Sequence, residues 1–275
     1  MTSPTEISVQ QLSRLIGLPN GPAIVDVRID EDFDLDPRLI PGSRRRSHRD
    51  VAEWASGFTG RKLVIVCQRG LKLSQGAAAM LRHEGVAAES LEGGYEAWTE
   101  AAQPVVNPES LPNRDARGRT VWVTRGRPKI DRIACPWLIR RFIDPDAVFL
   151  YVAPSEVTAV GERFGAAPFD IDGAFWSHRG DCCTFDTMLD EFGLNTGPLA
   201  HLATIIRGAD TDRHDLAPES AGLLAVSLGL SRAWPDDLEQ LAASLPLYDA
   251  LYRWCRDATG ETHDWPQPKA MAGVK

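Results

Sequence analysis

Apolar positions recur in two different patterns along the chain. Over residues 1–105, short β-branched runs ("AIVDV" at 23–27, "LVIVC" at 63–67) are separated by segments with helical apolar spacing. Leu12, Leu15 and Ile16 mark one such helix in "ISVQQLSRLI"; Ala77, Ala78 and Leu81 mark another in "SQGAAAMLRHEG", which Gly85 ends. "AESLEGG" offers a third strand and "YEAWTEA" a last helix. Continuous apolar runs suit strands buried on both faces, and their alternation with helices implies a parallel sheet. Residues 104–119 hold three prolines and little periodicity, so a linker is predicted over 106–119. Beyond it, "TVWVT" and "AVFLYV" read as strands, and helices are predicted over 155–164, 184–192, 198–208, 218–229 and 236–257. The expected fold class is therefore α/β for residues 1–105, a small parallel sheet flanked by helices. An α-rich α+β domain is expected over 120–275.

Composition narrows the class. With 43% hydrophobic and 25% charged residues the chain is globular rather than disordered. No run approaches the roughly 18 apolar residues of a membrane helix, and the first residues lack a signal-peptide pattern. A cytoplasmic protein without a membrane partner is expected. The five cysteines, an odd count, then read as free thiols, metal ligands or redox groups rather than a disulfide framework. A net charge of -8 disfavours nucleic acid as a partner. Against that acidity, residues 114–132 hold seven Arg or Lys beside Asp115 and Asp131, either a solvated linker face or an anion-attracting surface.

"LVIVCQRGLKLSQG", 63–76, carries the clearest chemistry. Cys67 ends a strand, and the loop Gln68, Arg69, Gly70, Leu71, Lys72 leads to a helix that Ser74 is predicted to cap. Gly70 permits a tight turn, and a loop curled around the sulfur can aim backbone N–H groups at an anion, with Arg69 and Lys72 adding charge. Such surroundings stabilise a thiolate nucleophile; the alternative is an inert buried thiol. "AIVDVRIDEDF", "IPG", "CQRGLKLS" and "LEGGYEAW" together resemble the rhodanese-like sulfurtransferases, in the family's order. That resemblance covers the first domain. It implies that Cys67 accepts sulfane sulfur as a persulfide and passes it to a thiol or cyanide, with residues 68–72 binding substrate and Asp26 and Arg28 as a structural ion pair. A six-residue loop resembles sulfur-handling members, whereas related phosphatases use one residue more. "PRLIPGSRRRSH" departs from the family's Gly-His-Ile-Pro-Gly, and residues 44–49 are expected to face water.

In the second domain, "DRIACPWLIRRF" is predicted to form a helix over 136–143 with Cys135 as N-cap, because Pro136 suits a first helical position. Its N-terminus would offer an anion site with Arg132 and Cys135, or else a packing corner. His178, Cys182, Cys183, Asp186 and Asp210 are candidate ligands for a transition-metal ion, with loop-stabilising hydrogen bonds as the alternative. "VTRGRPKIDRIACPWLIRRFIDPDA", "PFDIDG", "HRGDCCTFDTML" and "RGADT" resemble the C-terminal domain of chromate-resistance proteins over about 120–265.

The leading expectation is a sulfurtransferase that moves sulfur from thiosulfate or a persulfide donor to a thiol acceptor, linked to chromate resistance. Sulfur transfer requires no cofactor. The competing expectation is a chromate- or metal-responsive sensor whose first domain only recognises a partner. A third reading couples the two: chromate, drawn in by Arg125, Arg127, Lys129 and Arg132, would take electrons from a thiol or persulfide.

Overall fold

The computed structural model describes residues 4–262, so the last residues of the predicted second domain, 263–275, lie outside the described residues. The first part of the chain runs β1 (Glu6–Ile7), α1 (Val9–Ser13), β2 (Ala23–Asp26), α2 (Asp30–Leu35), β3 (Ser43–Arg45) and α3 (Val51–Ala55). It continues through β4 (Leu63–Val66), α4 (Lys72–His83), β5 (Ala88–Leu91) and α5 (Gly94–Glu100). The second part is β6 (Val121–Arg125), α6 (Asp131–Leu138), β7 (Val148–Val152), α7 (Val157–Phe164) and β8 (Ala167–Pro168). Four helices complete it: α8 (Thr184–Phe192), α9 (Gly197–Asp210), α10 (Glu219–Ala233) and α11 (Asp237–Asp257).

The first sheet is parallel throughout, with strand order β1-β5-β4-β2-β3. β2 and β4 are central and buried at every residue, as their unbroken apolar runs require. Register places Asp26 opposite both Val66 and Arg45. Arg28, Arg46 and Cys67 therefore emerge along one carboxyl edge, where open α/β sheets bind ligands. Side chains alternate between the two faces. Ala23, Val25, Leu63, Ile65 and Cys67 join a core with Ala77, Ala78 and Leu81 of α4. Ile24, Val64 and Val66 join the opposite core, with Leu12, Tyr95 and Trp98. α1 is set by a capping box: Gln11 N–H donates to Ser8 Oγ at 3.2 Å, and Ser8 N–H donates to Gln11 Oε1 at 2.9 Å.

That second core does not stop at residue 105. It runs on through Val106, Trp122, Trp137, Phe142 and Phe192 to Tyr252, so the two domains share one apolar interior. Val106 pairs with Leu39 and is buried, so the predicted linker begins pinned to the first domain. At the junction Gly42 N–H donates to the Phe142 carbonyl, and Arg44 pairs with Asp144 at 2.9 Å. Gly17, at φ +78°, lies so close to the second domain that a Cβ would overlap the Phe142 ring. Arg44 thus bridges the domains instead of facing water, and Arg45 pairs with Asp30.

The second sheet, β7-β6-β8, is also parallel, and α8 to α11 make this domain α-rich. α6 differs from expectation: it begins at Asp131 and carries Pro136 in its interior, passing into a π-helical turn over Ile139–Ile143. Proline removes the N–H that would reach the Arg132 carbonyl. Tyr151 Oη donates to that same carbonyl at 2.9 Å, so a tertiary hydrogen bond replaces the helical one. No described helix is long and apolar enough to cross a membrane.

Candidate functional site

The Cys67 loop rests on the turn that opens α5. Tyr95 N–H donates to the Cys67 carbonyl and Glu96 N–H to the Gln68 carbonyl, both at 3.0 Å. Two glycines make this approach possible. Gly94, at φ +64°, has no room for a Cβ against the Cys67 carbonyl and Gly70 nitrogen, and Gly70, at φ +67°, has none against the Leu91 carbonyl. The "LEGG" and "CQRG" segments are thus two halves of one close-packed turn.

Cys67 is 4% exposed, and its Sγ lies 3.1 Å from Ser74 Oγ. α4 starts at Lys72, two residues earlier than expected, with no side-chain cap. Ser74 is therefore the third residue of the helix, where its hydroxyl reaches the Leu71 carbonyl or the sulfur instead of capping. Cys67, Gln68, Arg69, Leu71 and Lys72 line an open cleft of about 580 Å³, faced by Leu35 and Glu96. Arg69 pairs with Glu96 at 3.4 Å, and Gln68 Nε2 donates to the same carboxylate at 3.2 Å. Lys72 makes no ion pair among the described residues. Behind the loop, Arg28 Nε donates to Asp26 Oδ2 at 2.8 Å. The same guanidinium donates to the Asp36 and Arg38 carbonyls and lies 3.8 Å above the Tyr95 ring. This buried pair ties the end of β2 to the segment after α2 and to α5.

A second constellation forms where α6, α8 and α9 meet. Asp131, the first residue of α6, is fully buried, and its Oδ2 accepts the N–H groups of Thr184 (2.5 Å) and Phe185 (3.3 Å) at the start of α8. Asp170 Oδ1 accepts from Thr184 Oγ1 at 3.0 Å, while its Oδ2 faces Arg125 at 3.4 Å and Arg132 at 3.2 Å. His178 Nε2 stands 3.2 Å from Asp210, 3.5 Å from Asp170 and 3.6 Å from Asp131. Asp131, Asp170 and His178 each offer a ligand atom within 4.8 Å of the others. Hydrogen bonds to Asp170 and Asp210 push the His178 pKa up to about 10. Burial, together with the charges of Asp210 and Asp170, pushes Asp131 well above the carboxylate range.

Of the expected ligands, His178 and Asp210 meet here, but Cys183 and Asp186 do not. Asp186 is held by Arg207 at 2.8 Å and accepts the Cys183 N–H at 3.0 Å. Cys183 is buried as the N-cap of α8, and burial pushes its thiol pKa up. The helix N-terminus expected beside Arg132 and Cys135 does not form there, because α6 begins at Asp131. Cys135 lies inside α6, fully buried with its thiol pKa raised, and Arg132 turns to Asp170. Within the basic stretch, Arg114 binds Asp144, Arg119 binds Asp115, and Arg127 donates to the Ser231 carbonyl. Asp131 and Asp170 were not foreseen as site residues. Asp131 sits among basic residues, and Asp170 in "PFDIDG" carries no spacing signal, although its left-handed φ of +52° marks a constrained position.

Residues 8–101 match the rhodanese-like domain. Residues 122–255 match the ChrB C-terminal domain. Over 147 residues the chain is 38% identical to Protein ChrB of Cupriavidus metallidurans, covering 52% of this chain and 44% of that protein. The chain thus spans less than half of that curated relative. A rhodanese-like domain protein from Staphylococcus aureus is 26% identical over 34% of this chain and 90% of its own, with a TM-score of 0.31. A thiosulfate sulfurtransferase from Pseudomonas aeruginosa is 24% identical over 38% of this chain and 20% of its own, with a TM-score of 0.34.

Proposed function

We propose that the rhodanese-like domain transfers sulfane sulfur through Cys67. The observation that supports this reading is the position of the sulfur: at the carboxyl end of a central parallel strand, lining an open cleft, beside the start of a 12-residue helix. In the first half-reaction the Cys67 thiolate attacks the outer sulfur of thiosulfate. The donor S–S bond breaks, sulfite leaves with the electron pair, and Cys67 becomes a persulfide. A thiolate acceptor then attacks the outer sulfur, the new S–S bond breaks, and the Cys67 thiolate returns. Gln68, Arg69, Gly70, Leu71 and Lys72 bind the donor, and no cofactor takes part. Intact-mass measurement after thiosulfate treatment is expected to find the added mass of one sulfur atom on the protein and none on Cys67→Ser. Persistent loading of the variant overturns the assignment.

One observation favours a second reading, in which this domain only recognises a partner and the second domain responds to chromate or a metal. Glu96 stands against Arg69 at the cleft, and a carboxylate there opposes an anionic donor. Glu96→Gln separates the two. A sulfurtransferase should gain turnover with thiosulfate, whereas a recognition module should show none before or after the change.

A further inference from the structure

We propose that Asp131, Asp170 and His178, with Asp210 beside the imidazole, form a binding site for one divalent first-row metal ion of the Mn2+ class. Three observations carry it, none involving the Cys67 chemistry. First, the three carboxylate oxygens lie 3.2, 3.5 and 3.6 Å from a single nitrogen, His178 Nε2. One N–H can donate well to only one of them. Ligands bonded at about 2.1 Å to a common ion are themselves about 3.0–3.4 Å apart when adjacent and about 4.2 Å when opposite, and Asp131, Asp170 and His178 offer atoms all within 4.8 Å of one another. Second, Asp131 is fully buried; its Oδ2 faces His178 and accepts two N–H groups, and its Oδ1 meets no nitrogen or oxygen donor among the described residues. A buried carboxylate oxygen without such a donor is costly, and a cation beside it offsets that cost.

Third, the supporting contacts are those of a built site. Thr184 holds both Asp131 and Asp170, through its backbone N–H and its hydroxyl. Arg125 and Arg132 face the far oxygen of Asp170, keeping its near oxygen turned toward His178. Ligating carboxylates are commonly fixed by such outer contacts. The His178 side chain is 41% exposed, which gives an ion a path in from solvent. Two carboxylates and an imidazole, with a third carboxylate beside them, suit an oxygen-preferring or borderline ion.

Titrating Mn2+ into the full chain, with free Mn2+ read by electron paramagnetic resonance, tests the site. One saturable equivalent per chain is expected, with affinity lowered at least tenfold in Asp210→Asn and in His178→Gln. Both positions are partly exposed, so neither change empties the core. Cys67→Ser should bind as the parent does, which separates this site from the sulfur-transfer reading. The proposal is overturned if the parent protein shows no saturable equivalent, or if either folded variant retains full affinity.

Discussion

Pro136 and Tyr151 form a compensating pair whose coupling can be measured. The proline leaves the Arg132 carbonyl without its helical donor, and the Tyr151 hydroxyl fills that role at 2.9 Å. Tyr151→Phe removes the donor and keeps the ring. The carbonyl is then left unpaired inside the protein, at a cost of about 1–3 kcal/mol. For a chain of this size each kcal/mol lowers Tm by about 2–4 °C. Pro136→Ala restores an N–H at the position four residues beyond Arg132, so the carbonyl regains a helical partner. In that background Tyr151→Phe should cost less than half as much, a coupling of roughly 0.5–1.5 kcal/mol. Urea unfolding of the parent, both single variants and the double variant, followed by tryptophan fluorescence, yields all four free energies. Equal destabilisation by Tyr151→Phe in the two backgrounds would show that the hydroxyl does not replace the missing bond.

Three further outcomes are expected. Gly94→Ala requires a left-handed alanine, at about 1–2 kcal/mol, and pushes a methyl group into the Cys67 carbonyl; persulfide loading measured by intact mass should fall severely, and normal loading would refute the shared-turn account. Asp144 is fully buried and accepts from Arg44, Arg114 and both the N–H and hydroxyl of Thr120. Asp144→Ala should therefore cost about 3–5 kcal/mol in chemical denaturation, against less than 1 kcal/mol for exposed Arg38→Ala. Maleimide labelling of the native protein near pH ~8 should spare Cys135 and Cys183, which are buried and whose raised pKa values keep them as thiols at that pH, and modify the more exposed Cys182. Labelling of Cys135 at the rate of Cys182 would contradict its burial.

The parts of the molecule governed by local rules were legible beforehand. β2 and β4 announced themselves as apolar runs, and the glycines at 70, 93 and 94 belonged to motifs whose purpose is close backbone contact. What was hidden depended on residues distant in sequence. Nothing near Pro136 reveals that Tyr151 will supply its missing hydrogen bond, so the start of α6 was placed at the position that satisfied proline locally. The acidic cluster draws Asp131, Asp170, His178 and Asp210 from separate segments, and no ligand spacing links them. Arg44 read as a solvated charge because its partners, Asp144 and Asp146, lie a hundred residues on.

Gly17 bears on how such a chain can be recombined. A hydrogen atom there is what allows the Phe142 ring to seat against the first domain, and Arg44 supplies the cation for the carboxylate of Asp144 beneath it. A foreign α/β domain spliced onto residues 120–262 brings neither by default. Its side chain at that position would lever the halves apart and strand a buried negative charge. The junction therefore selects its own neighbour, and the first domain behaves as a fitted half of one body rather than as an exchangeable cassette.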